Sequence, residues 1–393
     1  MYRMLYSIAC AILLFSCTKV ESVNKTYTNQ DIQNSINATA SISLNGNINT
    51  ICRGTITGYS GNGGLAQNAL FNGISGSASD NNNNLYVCDN ANFAIRKINL
   101  TTKIVTTVAG GNGRGSSGDG GKATLAQLDI PNNVAVDKNG NLFIADWGSP
   151  NCIRKVDTKT GIITKVAGNG WNYNGEGNPA LATNLSGPFA IDFDKDDNLI
   201  ISTDFGRRLR RLNFITNTIT TIAGNGLTGY TGDGGPAINA SFEFIWKFAV
   251  DKNTNDIYIP DVHNHVVRKI NGKTGIISTF AGNYNNPYSL YLSSGLAINA
   301  SLNMPSGIAV DYSGNVYVSD EAAAVVYKIN KQTNLIKMIA GKQYNNGFAG
   351  DGGPAVSAQL YFVNSLSIDS KGNLFVSDAG NNRMREIFNA ACL

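Results

Sequence analysis

The sequence predicts an all-β protein: a six-bladed β-propeller of four-stranded antiparallel blades, its ring closed by an N-terminal strand at about 47–53 that completes the last blade. Three observations carry the prediction. The stretch NINTICRGTITGYSGNGGLA at 47–66 aligns without gaps with TITTIAGNGLTGYTGDGGPA at 218–237, ten of the twenty residues being identical, so the chain is internally repetitive. An Ala-Gly ending recurs at Ala109, Ala167, Ala223, Ala281 and Ala340 in steps of 56 to 59 residues, and Cys52 holds the same place 57 residues before Ala109. The last unit, NLFVSDAGNNRMREIFNAACL, stops after its third strand, whereas 47–53 reads as a fourth strand with no first three before it.

The six units read alike. In the fourth, a Gly-rich GYTGDGGPAINASF leads to FAVD, DIYIPD, HVVRKI and GIISTFAG, separated by polar turns. Short runs of β-branched and aromatic residues bounded by Asn, Asp, Gly and Lys are strands. The turns DKNGN, DYSGN and DSKGN place Gly where a tight antiparallel hairpin needs a positive φ. Four-stranded antiparallel sheets repeated radially form a propeller. Pairing of 47–53 with the strand around Met384 to Phe388 leaves no open edge at the seam.

Length alone would allow two domains, but the repeat makes 46–393 one. Ahead of it, MYRMLYSIACAILLFSC carries Arg3, an apolar run from about Leu5 to Phe15 and a small residue before Cys17, a secretory pattern too short to span a bilayer. Leu14, Phe15, Ser16 and Cys17 resemble a lipobox, which implies a signal peptide at 1–16 and lipidation of Cys17. The polar, aperiodic stretch at 17–45 reads as a flexible tether. With 31 basic and 27 acidic residues the formal net charge is only +4, so no nucleic-acid partner is indicated. Cys52, Cys88, Cys152 and Cys392 lie in different blades or at different heights and suggest no disulfide framework.

The units NLFIADWGSPNCIRKVDTKTGIITKVAGNG and NLFVSDAGNNRMREIF resemble NHL repeats, in particular the Gly-Asp-Gly-Gly subtype of bacterial surface proteins and the teneurin propeller, over about 47–392. The resemblance implies a binding platform. Enzymes of the broader propeller group, such as the peptidylglycine amidating lyase and virginiamycin B lyase, are not matched residue by residue. The family's N-x-R before the third strand stands at Asn381 and Arg383 but becomes HNH in the fourth unit and AAA in the fifth.

Residues shared by the blades read as structural, because six equal positions cannot all serve one asymmetric site. These are Asp89, Asp146, Asp204, Asp261, Asp320 and Asp378 ending the second strands, and Arg96, Arg154, Arg210, Arg268 and Arg385 in the third, with Tyr327 in the fifth unit. The Asp is expected to cap the turn or pair with the Arg between blades. The GDGG segments at 118–121, 232–235 and 350–353 fall under the same reading. GRGSSG at 113–118 is a repeat loop, and DFDKDDN at 192–198 is a hairpin turn lacking the Gly and closing Glu of a calcium loop.

Function is therefore sought where blades differ, on the face carrying the fourth-to-first and second-to-third connections. There stand Phe93, Trp147, Phe205, Arg207, Arg208, His263, His265, Glu321 and Arg383, with Asn132, Asn133, Trp246, Lys247, Ser306 and Asn364 at the channel mouth. The binding residues expected from this set are Trp147, Arg207, Arg208, Lys247, His263, His265, Glu321 and Arg383. Arg207 and Arg208 with Arg210 and Arg211 form the densest basic run, a candidate patch for an anionic glycan or acidic protein. His263 and His265, the only histidines, would share one side of an extended segment near Asp261 and Glu321, the alternative being a zinc-assisted lyase or hydrolase. No nucleophile elbow or Cys-His pair offers covalent catalysis. The expectation is a non-enzymatic, cofactor-free envelope lipoprotein, periplasmic or at the cell surface (or else secreted), monomeric, recognising an envelope or extracellular protein or glycan through this face.

Overall fold

The computed structural model describes residues 46–52, 56–149, 151–285 and 294–393. The signal peptide, Cys17, the tether and Arg53 at the end of the expected closing strand lie outside the described residues.

Six antiparallel sheets form the blades. Blade one is Ile74–Ser79, Asn84–Asp89, Ala94–Asn99 and Val105–Gly110, and blades two to five repeat this order. Blade six takes Val363–Ile368, Leu374–Asp378 and Arg383–Ile387 from the C-terminal end and Ile48–Cys52 from the N-terminal end. The closing pairs are Ile48 with Ile387, Asn49 with Glu386, Thr50 with Arg385 and Cys52 with Met384. The ring is thus joined where the sequence predicts.

The apolar core lies between blades. Each hydrophobic cluster joins side chains of neighbouring sheets; at the seam Ile51, Cys52, Phe375 and Met384 pack with Phe71, Leu85 and Val87 of blade one. Period-two alternation does not appear on the second strands, which are buried along their length save the half-buried Asn84 at the start of the first, because both faces of a blade are covered by its neighbours.

Four strands per blade is an incomplete description at the outer edge. The Gly-rich segment of each unit lies along the fourth strand of the blade it precedes. Gly63 donates to the Val105 carbonyl and Val105 to that of Gly64, and isolated bridges join Lys122 to Ile162, Pro179 to Thr218 and Pro236 to Ile276. In blade five the contact extends to a fifth strand, Ser294–Leu296. These segments cover edges that would otherwise template association.

The recurring Asp and Arg staple that segment down: the Asp takes the capping role, one of the two expected, and where it pairs with the Arg, as Asp89 with Arg96 and Asp378 with Arg385, it does so within a blade and not between blades. Asp89, Asp146, Asp261, Asp320 and Asp378 accept backbone N–H groups of the loop entering their own blade, at Asn72, Asp129 and Ile130, Glu243, Asn303 and Met304, and Tyr361. The buried Arg268 reaches the carbonyls of Thr231 and Ser241 and the Asp233 carboxylate, and lies 5.0 Å from the ring centroids of both Tyr230 and Phe242. The Asp of each GDGG is therefore a partner for the buried Arg: Asp119 for Arg154, Asp233 for Arg268 and Asp351 for Arg385. Glu176 plays this part for Arg210 at 3.8 Å.

Candidate functional site

The second-to-third connection of every blade ends on a left-handed residue: Phe93, Asn151, Arg207, His265, Ala324 and Asn382 all have φ between 41° and 60°. That conformation turns the chain sharply, so His263 and His265 do not lie in an extended segment with their rings on one side. His263 sits in a 3-10 turn, Val262–Asn264, edge-on to Phe244 and Trp246 at 5.4 and 5.8 Å. His265 instead places Nδ1 2.6 Å from the Asn303 carbonyl. Asp261 is buried, bonded to Asn264 Nδ2 at 2.8 Å, with Arg268 at 3.8 Å. Among the described residues no group of three His, Cys, Asp or Glu side chains could hold a metal ion. The expected zinc arrangement thus loses its geometric basis. Asp194 in DFDKDDN spends its carboxylate on Asp196 and Asn198 of its own turn.

The basic run is dispersed as well. Arg207 donates to the Glu243 carbonyl and lies over Phe244 at 5.5 Å. Arg208 donates to the Gly206 and Asn225 carbonyls and covers Tyr173 at 4.3 Å. Arg210 is buried, and Arg211 pairs with Asp194 at 3.2 Å. Their neighbours in sequence point to different places, so they make no single anionic-ligand patch. Arg383 is buried with its guanidinium 3.7 Å from the Phe348 centroid. Glu321 is likewise buried, and desolvation pushes its carboxyl up to about 7.

What the fold does bring together on this face is aromatic. Trp147 packs against Trp171 and Phe205 at 5.9 and 6.2 Å, and Trp171 meets Phe205 at 5.7 Å. Alongside, Trp246 stacks on Phe244 and Phe189 at 5.3 and 6.3 Å and donates Nε1 to Asp204, the neighbour of Phe205. Trp171 and Phe205 stay 42% and 56% exposed, although free burial would favour covering them. All three tryptophans of the chain stand on this surface of blades two to four. Gly187 makes room for it: a Cβ there would meet Trp147 Nε1 at 2.8 Å. Trp171 and Phe244 were not singled out from sequence, because each lies in a connection between blades and only ring geometry brings it beside its partners.

A second feature was missed altogether. A cavity of about 700 Å³ runs along the axis, lined by the first strands of the blades and by their first hairpin turns, on the face opposite the aromatic surface. Lys247, expected at the mouth of the loop face, lies in this cavity, 5.4 Å from the Phe189 ring centroid.

The family profile of the Teneurin NHL domain matches residues 111–185. The repeats are similar to those of the teneurin NHL domain. Similar curated proteins include the chloroplastic protein SUPPRESSOR OF QUENCHING 1 of Arabidopsis thaliana, 26% identical over 68% of this chain and 26% of its own length. Mouse teneurin-1 is 29% identical over 69% of this chain and 8% of its length, and human NHL repeat-containing protein 2 is 24% identical over 70% and 41%. The matched part of this chain thus spans less than half the length of each of these relatives. Among solved structures, a Bacteroides thetaiotaomicron protein of unknown function has a TM-score of 0.65 at 18% identity, covering 86% of this chain and 75% of that one. An auxiliary nutrient binding protein of the same organism has a TM-score of 0.62 at 15% identity, with the same coverage of 86% and 75%. At such identities the likeness is one of fold.

Proposed function

We propose that this chain is a non-enzymatic cell-envelope lipoprotein whose NHL propeller binds a protein or glycan through its variable loop face, with a glycan the better fit. The observation that carries the reading is the aromatic surface of blades two to four. Exposed rings of Trp171 and Phe205 offer flat apolar faces, and their packing on Trp147 and on each other holds them in fixed geometry at low entropic cost. A sugar ring presents one apolar C–H face to such a platform and its hydroxyls to polar groups beside it; here those are His263 and the backbone around Arg207. The signal-like N-terminus and the lipobox at Cys17 support the envelope placement, and the fold likeness to an auxiliary nutrient binding protein agrees with it.

The reading is tested by titrating the purified propeller with envelope and extracellular polysaccharides and following tryptophan emission. Trp171→Ala and Phe205→Ala should each weaken binding about tenfold or more without unfolding, since both side chains are exposed. Equal binding by both variants would move the site elsewhere.

A further inference from the structure

The axial cavity has an unusual base. Lys247 is only 8% exposed, its ammonium is buried, and Nζ has no hydrogen-bond partner among the described residues. Burying an unpaired ammonium is strongly unfavourable unless something compensates it. The titratable group that acts on it is the Cys88 thiol, itself pushed up to about 12 by burial and therefore neutral at physiological pH, so it supplies no counter-charge. Desolvation holds the Lys247 amine down at about 8, so it still carries its proton at pH 7.

The neighbouring positions of the other first strands are small or are donors. Ala190 lines the cavity at this level, while Gly76 and Gly307 let their neighbours approach: a Cβ on Gly76 would meet Asn133 Nδ2 at 2.5 Å, and one on Gly307 would meet the Ser365 Cα at 2.9 Å. Asn133 spends its Oδ1 on the Ile191 N–H at 3.1 Å, which leaves its amide NH₂ as a donor. Ser365 lines the same base. Asp80, Asp137, Asp194, Asp197 and Asp311 line it from the hairpin turns and Asp192 from within its strand, and all are engaged. Asp80, Asp137 and Asp311 each accept two N–H groups and an Asn side chain of their own turn. Asp192 pairs with Lys252 at 2.6 Å, and Asp197 pairs with Lys138. Midway, hydroxyls of Ser77, Ser79 and Ser367 form a polar wall.

We propose that this cavity is a binding site for a small hydroxylated carboxylate that enters from the hairpin-turn face, its carboxylate on Lys247, Asn133 and Ser365 and its hydroxyls along the serine wall. Such an anion supplies the missing counter-charge, and about 700 Å³ accommodates a ligand of this size. The cavity opens on the face opposite the aromatic surface, and its test reads a different ligand from the glycan proposed there, so the two proposals can fail separately.

The test uses gluconate and lactate as probes, with sodium chloride at matched ionic strength, on the whole propeller. Gluconate should raise the melting temperature saturably and give a heat of binding by calorimetry, because a ligand that binds only the folded state stabilises it. Lys247→Met keeps the length of the side chain while removing the charge, so it should fold and should bind gluconate at least about tenfold more weakly. Ser365→Ala, a smaller change, should show an intermediate loss. An equal response to chloride, an undiminished response in Lys247→Met, or no gluconate binding by the wild type would each overturn the proposal.

Discussion

Arg268→Met removes the centre of a staple whose parts can be counted. The guanidinium is fully buried and donates to the Thr231 carbonyl at 2.8 Å, the Ser241 carbonyl at 3.0 Å and the Asp233 carboxylate at 3.1 and 2.5 Å. Methionine fills much of the slot between Tyr230 and Phe242 but leaves the two carbonyls without their donor, while Asp233 keeps its bonds from Thr279. Breaking a buried ion pair by removing one partner costs about 3–5 kcal/mol. Asp261, whose carboxyl burial pushes up to about 7, can take a proton and so limits the loss, which places the expected cost near the lower figure, ~3 kcal/mol. Urea denaturation followed by tryptophan emission measures it, with Trp246 reporting from the same blade. A cost below about 1 kcal/mol, the ordinary value of one hydrogen bond, would refute the view that the buried Arg fastens the Gly-rich segment to its blade.

Other predictions follow from the same structure. Removing residues 46–52 uncovers the strand Arg383–Ile387 and withdraws Ile48, Ile51 and Cys52 from the core, at a cost of roughly 5 kcal/mol; the truncated protein should melt earlier and self-associate in light scattering, and an unchanged monomer would contradict the closure. Burial pushes the Asp146 and Asp261 carboxyls from an ordinary 3.8 up to about 7, so the folded protein holds these protons more tightly than the unfolded chain. Their contribution to stability is complete below the unfolded value and is lost as pH rises through 7. Asp146→Asn keeps an acceptor for the Asp129 and Ile130 N–H groups, so its stability should fall less than that of the wild type between pH 4 and 8, by at most about 4 kcal/mol; parallel profiles would contradict this. Cys17→Ala should abolish incorporation of labelled palmitate in cells; if labelling persists, the lipid is elsewhere.

The ring was legible because two signals were local: the strand-length apolar runs and the fixed recurrence of the Ala-Gly ending. The closing strand followed from counting, since Ile48–Cys52 and Arg383–Ile387 are complementary fragments of one unit. Less local features were read incompletely or wrongly. The Gly-rich segments carry few apolar residues, so nothing in Gly232–Gly235 announces that it covers the outer strand and supplies Asp233 to Arg268. The histidine pair failed for a reason present in the repeat itself: His265 occupies the place of Asn382, a residue type that tolerates the left-handed region, and that turn separates the two rings. Arg207 stands in the same place. The aromatic surface assembles Trp171 from one connection with Trp147 and Phe205 from two others, and Lys247 reaches an axis shared by all six blades; neither juxtaposition exists before the ring is closed.

The most direct test of the account is whether the loop face binds. All three tryptophans lie on the aromatic surface of blades two to four, so a ligand seated there must change their emission. Titration of the wild-type propeller and the Trp171→Ala and Phe205→Ala variants with envelope and extracellular polysaccharides is predicted to give a saturable shift in the wild type, weakened about tenfold or more in each variant. Binding that leaves tryptophan emission unchanged, or that survives both substitutions at full strength, would contradict the assignment of this face as the recognition surface.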